Sequence, residues 1–90
     1  MDKNTFIKID NGDIKYYVNG RYHRDHDLPA IEYASGNKEW RKNGILHRDG
    51  DLPAIIRNTH KEWWKNGERH RDDDKPAIEY SNGDKEWYKH

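Results

Sequence analysis

Ninety residues suffice for one small domain, and 31% hydrophobic against 38% charged residues would favour disorder in a featureless chain. Four Trp, six Tyr and one Phe argue against disorder, because they supply large surfaces that a thin core can bury. Seventeen basic and seventeen acidic side chains cancel, which excludes the positive field of a nonspecific nucleic-acid binder and the strongly negative field of a nucleic-acid mimic.

The first residues, Met1 to Thr5, contain no apolar run, so we expect neither a signal peptide nor a membrane span. The chain also has no cysteine, which removes disulfides and thiolate zinc sites. We therefore expect a cytoplasmic protein, located in the host cytoplasm if its source is a virus.

From residue 7 onward the chain repeats itself about three and a half times. Lys-Glu-Trp occurs at 38–40, 61–63 and 85–87, and the sequence His-Arg-Asp opens a linker that ends in Pro-Ala three times, at 23–30, 47–54 and 70–77. No low-complexity tract interrupts the series. The sequence predicts a single repeat domain over residues 1–90, with units of 23–24 residues at 7–30, 31–54 and 55–77 and a truncated unit at 78–90.

Turn residues divide each unit into strands. Asp10-Asn11-Gly12, 34–36 and 81–83 predict three-residue loops that close on a left-handed glycine with a β-bulge. At Asn58-Thr59 the loop is one residue shorter, which predicts a two-residue turn with the same flanking pairs. Asn-Gly at 19–20, 43–44 and 66–67 supplies the two positive φ angles of a type I′ hairpin turn.

The strands between these turns, at 28–33, 37–42 and 45–47 in the second unit, pair outward from the turns. This register predicts a row of small residue, aromatic ring and imidazole in each complete unit. The fold class is all-β: a meandering antiparallel sheet of tandem β-hairpin repeats, in a single elongated or curled layer. The predicted neighbours are Phe6, Tyr16 and His23; Ala30, Trp40 and His47; Ala54, Trp63 and His70; and Ala77 and Trp87.

Two groups of residues have the chemistry of metal ligands. His23, His47 and His70 form a ladder that zinc or copper could use, although imidazoles in successive units are too far apart to converge. The acidic loops at 25–27, 49–51 and 72–74 have oxygen spacings open to calcium, but they lack the bidentate Glu of an EF-hand. We favour packing and turn closure for both groups, and predict no metal and no cofactor.

Catalytic residues are not apparent in the sequence. The hydroxyls of Thr5, Ser35, Thr59 and Ser81 lack a nucleophile motif such as Gly-x-Ser-x-Gly, and the charged residues recur with the repeat as surface patterning does. We therefore predict a protein that is not an enzyme.

A layer one sheet thick cannot bury both of its faces, so we expect some aromatic surface to remain available for a partner. Trp, Tyr and Arg dominate binding hot spots, which predicts a protein-binding surface. A small nucleotide or nucleic-acid binder with stacked aromatics, and a structural repeat in a larger assembly, are the alternatives. Edge strands near 5–9 and 87–90 also allow a homodimer. The predicted protein-binding residues are Tyr17, Trp40, Arg41, Trp63, Trp64, Arg69, Trp87 and Tyr88.

The cycle W-x-K-N-G-x-x-H-R-x-D-x-P-A-x-x-Y-x-x-G-x-K-x-W resembles the MORN-variant repeats of bacterial, phage and giant-virus proteins. The resemblance covers the chain from about residue 7 to its end, and its most specific parts are the Asn-Gly turns and the His-Arg linkers. It implies an all-β hairpin array used for protein contacts, as in antitoxins and phage inhibitors of host defences. The Gly-rich spacing of standard MORN repeats is not kept, so the resemblance does not imply lipid binding.

Overall fold

The computed structural model describes residues 4–88, and all of the helix or strand structure in this range is β-strand. The predicted all-β class and meandering antiparallel arrangement are confirmed, and the sheet is open. The strands are β1 (Thr5–Asp10), β2 (Asp13–Val18), β3 (Arg21–Tyr22), β4 (Ile31–Glu32), β5 (Lys38–Glu39), β6 (Arg41–Lys42), β7 (Ile45–Leu46), β8 (Ile55–Ile56), β9 (His60–Glu62), β10 (Trp64–Lys65), β11 (Glu68–Arg69), β12 (Ile78–Tyr80) and β13 (Lys85–Glu86).

One long sheet runs through the chain in the order β1-β2-β4-β5-β8-β9-β12-β13, and β3 adds to it by pairing with β2. Two short hairpins, β6–β7 and β10–β11, branch from this sheet. The branch points are Trp40 and Trp63, each of which separates a strand of the long sheet from a strand of a side hairpin. The molecule is elongated, measuring 40 × 28 × 17 Å.

The Asn-Gly turns of the side hairpins have the predicted geometry. Asn43 and Gly44 have φ angles of 52° and 84°, and Asn66 and Gly67 have φ angles of 50° and 82°. Two successive positive φ angles are the requirement of a type I′ turn. The same holds at residues 19–20, between β2 and β3, so the prediction is confirmed at all three positions.

The upstream turns confirm the predicted register in units two to four. The amide of Gly36 donates to the carbonyl of Tyr33 at 2.8 Å, closing the three-residue loop, and Gly83 does the same to Tyr80 at 3.0 Å. In the third unit, the amide of Arg57 donates to His60 at 2.9 Å across a two-residue turn. The turn of the third unit is therefore one residue shorter, and the pairs that flank it are unchanged, as predicted.

The prediction is wrong for the first upstream turn. Asp10 pairs with Asp13, so Asn11 and Gly12 alone form the turn, with φ angles of 53° and 88°. The dipeptide adopts the same type I′ geometry as the downstream Asn-Gly turns, because nothing in its flanking strands requires a third loop residue. As a consequence, Ile7 rather than Phe6 pairs with residue 16.

The row of aromatic residues crosses the long sheet and links consecutive units. The amide of Trp40 donates to the carbonyl of Ala54 in the same unit at 2.7 Å, and the amide of Trp63 donates to the carbonyl of Ala77 likewise at 2.7 Å. The predicted histidine neighbours are present, since the amide of His70 donates to the carbonyl of Trp63 at 3.0 Å. Between consecutive units, the alanine amide donates to the residue before the next tryptophan: Ala54 donates to the carbonyl of Glu62 at 2.8 Å. This one-residue offset is that of a β-bulge, and it bends the strand away from its predicted straight pairing.

The core is thin and lies along this row. Ala30, Ala54 and Ala77 are fully buried, and Trp40 and Trp63 are 7% and 6% exposed. Ile31, Ile55 and Ile78 are also buried, on the opposite face of the sheet, where they share a side with the glutamates of β5, β9 and β13.

Candidate functional site

The linkers cover the tryptophans that the sequence predicted to be contact anchors. Trp40 lies beneath the guanidinium of Arg48, whose central carbon is 3.7 Å from the ring centroid, and Trp63 lies beneath Arg71 at 3.8 Å. Both indoles are buried. The expectation that Trp40 and Trp63 are available to a partner is therefore wrong, because each linker folds back over the ring that precedes it.

A pair of left-handed residues in each linker places a backbone carbonyl against the tryptophan that follows. Gly50 and Asp51 have φ angles of 79° and 58°, and the pairs at 26–27 and 73–74 are also left-handed. Asp and His tolerate this region better than most residues. The reversed backbone presents the Asp51 carbonyl to the indole N–H of Trp63 at 3.1 Å, and Asp27 accepts from Trp40 at 3.0 Å in the same way.

Each linker arginine is itself held by several acceptors. Arg71 donates to the carboxylate of Asp51 at 2.9 Å, to the carbonyl of Pro76 at 3.2 Å and to Glu79 at 2.8 Å. Hydrogen bonds from Arg71 and from Lys75 lower the pKa of Asp51 to about 2. The stacked guanidinium, the carboxylate and the indole form one network around Trp40 and another around Trp63.

Two of the repeated histidines, His23 and His47, join one unit to the next. Nε2 of His47 lies 2.8 Å from the carboxylate of Asp49, and its Nδ1 accepts the amide of Asn66, in the next Asn-Gly turn, at 3.0 Å. His23 makes the same contacts to Asp25 and Asn43. The imidazoles of His23 and His47 thus bond carboxylates and turn amides. Among residues 4–88 no three His, Asp or Glu side chains converge as metal ligands.

The opposite face is organised by glutamates that our sequence analysis did not single out. Glu39, which is 5% exposed, accepts from the hydroxyl of Tyr33 at 3.1 Å and from Nε of Arg41 at 3.0 Å. Burial, followed by the charge of Glu39, raises the pKa of Tyr33. The signal was present in the sequence, as the Glu of each Lys-Glu-Trp repeat.

Glu62 is the centre of the same arrangement in the third unit. It accepts from the indole of Trp64 at 2.8 Å, lies 2.7 Å from Nε2 of His60 and pairs with Nε of Arg69 at 3.4 Å. Nδ1 of His60 lies 2.9 Å from the hydroxyl of Thr59, which gives a hydroxyl–imidazole–carboxylate chain. The carboxylate of Glu62 is shared with Trp64 and Arg69, and the hydroxyl of Thr59 lies in an exposed turn.

Arg69 connects this face to the last unit. Its guanidinium lies 5.4 Å from the ring centroid of Trp64 and 5.3 Å from that of Tyr88, and its Nη1 donates to the Tyr88 hydroxyl at 2.9 Å. The Tyr88 hydroxyl in turn donates to Glu86 at 2.8 Å. Hydrogen bonds from Tyr80 and Tyr88 lower the pKa of Glu86.

Trp87 is the exposed member of the tryptophan row. It is 54% exposed, although its indole N–H donates to the carbonyl of Asp74 at 2.8 Å, as Trp40 and Trp63 do to their linkers. Trp87 and Tyr88 line an open groove of about 290 Å³ together with residues 70–75. We call four residues the C-terminal cluster: Trp64, Arg69 and Tyr88, which contact one another through Arg69 on the glutamate face, and Trp87, which lines the groove beside Tyr88.

The other predicted binding residues lie elsewhere. Tyr17 stacks on Tyr22, with ring centroids 4.9 Å apart, and lies 5.7 Å from Phe6 in the first unit. Arg41 is bound to Glu39 in the second unit. The eight predicted binding residues therefore fall into three groups. Trp40 and Trp63 are buried, Tyr17 and Arg41 lie in the first two units, and the other four form the C-terminal cluster.

No family model, curated protein or solved structure matches the chain. Within residues 4–88 there is no helix long and apolar enough to cross a membrane.

Proposed function

We propose that the chain is a non-enzymatic protein-binding module whose contact surface is the C-terminal cluster. The observation that carries the proposal is the exposure of Trp87. Its equivalents, Trp40 and Trp63, are covered by linker arginines and are 7% and 6% exposed, whereas Trp87 is 54% exposed. A large ring at the rim of an open groove is the kind of residue that anchors a protein contact.

The surroundings of Trp87 support a protein partner. Arg69 and Tyr88 are held in place by hydrogen bonds, so little side-chain freedom is lost when a partner covers them. The groove also presents Asp72, Asp73 and Lys75, which are exposed and of both charge signs. An aromatic centre with a mixed polar rim is the usual composition of a protein interface.

The resemblance to MORN-variant repeats supports a narrower proposal. We infer an inhibitor, antitoxin or immunity-type protein of phage or bacterial origin, which acts in the cytoplasm by covering a surface of its partner. A module of this kind needs no catalytic group, since occlusion alone blocks the partner.

The test is a binding comparison between wild type, Trp87→Ala and the matched control Ile45→Ala. Ile45 is 49% exposed in a side hairpin outside the cluster, so its truncation removes exposed apolar surface at a different place on the molecule. A protein captured from the source organism with wild-type bait is purified and titrated by calorimetry. We expect Trp87→Ala to weaken binding by about tenfold or more and Ile45→Ala to leave it unchanged. Equal affinity of Trp87→Ala and wild type would overturn the proposal.

A nucleic-acid partner is the second candidate, because Arg69 between two aromatic rings could hold a phosphate and stack bases. We place it below a protein partner because Glu62 and Glu86 lie against the same arginine and tyrosine. Salt separates the two: phosphate contacts make affinity fall steeply as ionic strength rises, and an aromatic protein interface changes little.

A further inference from the structure

Strand β1 differs from the other strands of the long sheet. All six of its residues are exposed, and among them Phe6, Ile7 and Ile9 are 60%, 57% and 71% exposed. By contrast, the isoleucines that open β4, β8 and β12 are at most 5% exposed. Within residues 4–88, β1 pairs with β2 alone, so its outer edge is uncovered.

The outer edge of β1 carries unused backbone groups at alternate residues. The amide of Asn19 donates to the carbonyl of Asn4 at 2.9 Å, which turns residue 4 toward β2. Because hydrogen-bonding direction alternates along an antiparallel strand, Phe6 and Lys8 also face β2, and Thr5, Ile7 and Ile9 face outward. These three residues present both N–H and C=O groups to whatever pairs with the edge.

We infer that β1 is a dimerisation edge at which a second copy of this chain pairs antiparallel, about a two-fold axis at Ile7. In this register Ile7 lies opposite Ile7 of the second copy. Thr5 of each copy lies opposite Ile9 of the other copy. All outward-facing amides and carbonyls of the strand are then paired across the interface. The paired isoleucines also cover each other's exposed side chains, and the interface is isologous, as in most homodimers.

The sequence of β1 favours this register over the registers with the axis one residue away. With the axis at Ile7, Phe6 lies opposite Lys8 of the second copy, where the ammonium group can contact the ring. An axis at Lys8 would place two lysines directly opposite each other, which is destabilising. An axis at Phe6 would leave Ile9 without a partner among the residues of β1. The formal net charge of zero adds no long-range repulsion between copies.

Strand β13 is a weaker partner for the same edge. It has only two residues, Lys85 and Glu86, and both are exposed and charged. A head-to-tail contact between β13 and β1 would therefore leave the isoleucines of β1 largely uncovered. The dimer edge and the C-terminal cluster lie at opposite ends of the strand order, so one can fail without the other.

Cysteine cross-linking tests both the interface and its register, because the chain has no cysteine of its own. Ile7→Cys places the two introduced cysteines opposite each other on the axis, with Cα atoms about 5.5 Å apart, within disulfide range. Ile9→Cys is the matched control, since its two copies lie roughly 14 Å apart in this register. We expect Ile7→Cys to form a covalent dimer on mild oxidation and Ile9→Cys to remain uncross-linked. Preferential cross-linking of Ile9→Cys would overturn the register.

The second measurement is the mass of the protein without introduced cysteines, determined by sedimentation. Wild type is expected at twice the 10.9 kDa chain mass, and Ile7→Lys at the chain mass, because it sets two lysines against each other. Ile45→Lys, which adds the same charge in a side hairpin, should remain a dimer. A wild-type protein that stays monomeric up to about 1 mM would overturn the inference, as would an Ile7→Lys protein of dimer mass. Circular dichroism identical to wild type shows that the variants are folded.

Discussion

The arginine that follows each buried tryptophan by eight residues holds the linker against the sheet. Arg71 covers the ring of Trp63 and donates to a carboxylate and to a backbone carbonyl. Its loss would expose the indole and leave the carbonyl of Pro76, a buried residue, without this donor. The side chain therefore stabilises the fold through cation–π contact, hydrogen bonds and coverage together.

We expect Arg71→Met, which keeps an apolar stem of similar length, to lower the free energy of unfolding by about 2 kcal/mol. Arg57→Met is the control: that side chain is 39% exposed and makes an ion pair with Glu39 at 3.5 Å, so its loss should cost less than about 1 kcal/mol. Urea denaturation followed by tryptophan fluorescence measures both. Equal losses from the two variants would contradict the role of Arg71.

Asp51 makes this network sensitive to acid. Hydrogen bonds from Arg71 and Lys75 lower its pKa in the folded protein to about 2, below its ordinary value of 3.8. A depressed folded-state pKa contributes stability that is present above the unfolded value and is lost as pH falls through the folded value. The contribution of Asp51 should therefore decline between about pH 4 and about pH 2.

The measurement is urea denaturation repeated at several values in this pH window. Asp51→Asn should be less stable than wild type at neutral pH and should lose less stability on acidification. Asp73→Asn removes the same charge from an exposed linker position and should keep the wild-type slope. If Asp51→Asn shows an unchanged slope, the carboxylate of Asp51 does not carry this acid sensitivity.

At the scale of the strand and turn, the length of each turn sets the pairing of whole strands. Three of the four upstream turns could be predicted because their length follows from counting residues between repeat positions. The turn at Asn11-Gly12 could not, since a three-residue loop closing on Gly12 and a two-residue Asn-Gly turn fit the same sequence. The bulges at the linker alanines escaped prediction for a related reason, because they arise from the contact between units.

A comparison of two glycines distinguishes the destabilisation caused by backbone strain from that caused by a steric clash. Gly36 has a φ of +97°, and a Cβ added there would meet nothing within 4 Å. Gly12 has a φ of +88°, but a Cβ there would lie 2.9 Å from the Cβ of Ala34. We expect Gly36→Ala to destabilise by about 1 kcal/mol, from the strained backbone alone.

Gly12→Ala should cost about 1 kcal/mol more than Gly36→Ala, because Ala34 must also move. Thermal or urea unfolding of the two variants gives the comparison directly. Equal destabilisation would show that the first hairpin can shift away from Ala34 without loss.

At the scale of the whole molecule, the sequence predicted a repeating array and could not predict which faces it covers. The linkers contact Trp40 and Trp63 through left-handed residues such as Asp27 and Asp51. An Asp in a loop sequence does not by itself predict that conformation. Among residues 4–88, the exposed apolar surface includes β1 and Trp87 of the C-terminal cluster.

Coupling between units passes through the turn of each side hairpin, which docks on the unit before it. The amide of Asn66 donates to Nδ1 of His47 at 3.0 Å, and the amide of Gly67 donates to the carbonyl of Leu46 at 2.9 Å. In a nearest-neighbour array, removal of one such contact should loosen the adjoining unit and leave distant units intact.

His47→Ala removes the side-chain acceptor of Asn66 and should speed exchange of that amide by about tenfold or more, together with the amides of β10 and β11. Protection in β1 and β2, in the first unit, should stay at the wild-type level because no contact of His47 reaches it. Lys38→Ala, an exposed change in β5, is the control and should alter neither region. Amide hydrogen exchange followed by nuclear magnetic resonance resolves the two regions. Uniform loss of protection across the chain would mean that the four units unfold as one cooperative body, in place of a chain of separately stable neighbours.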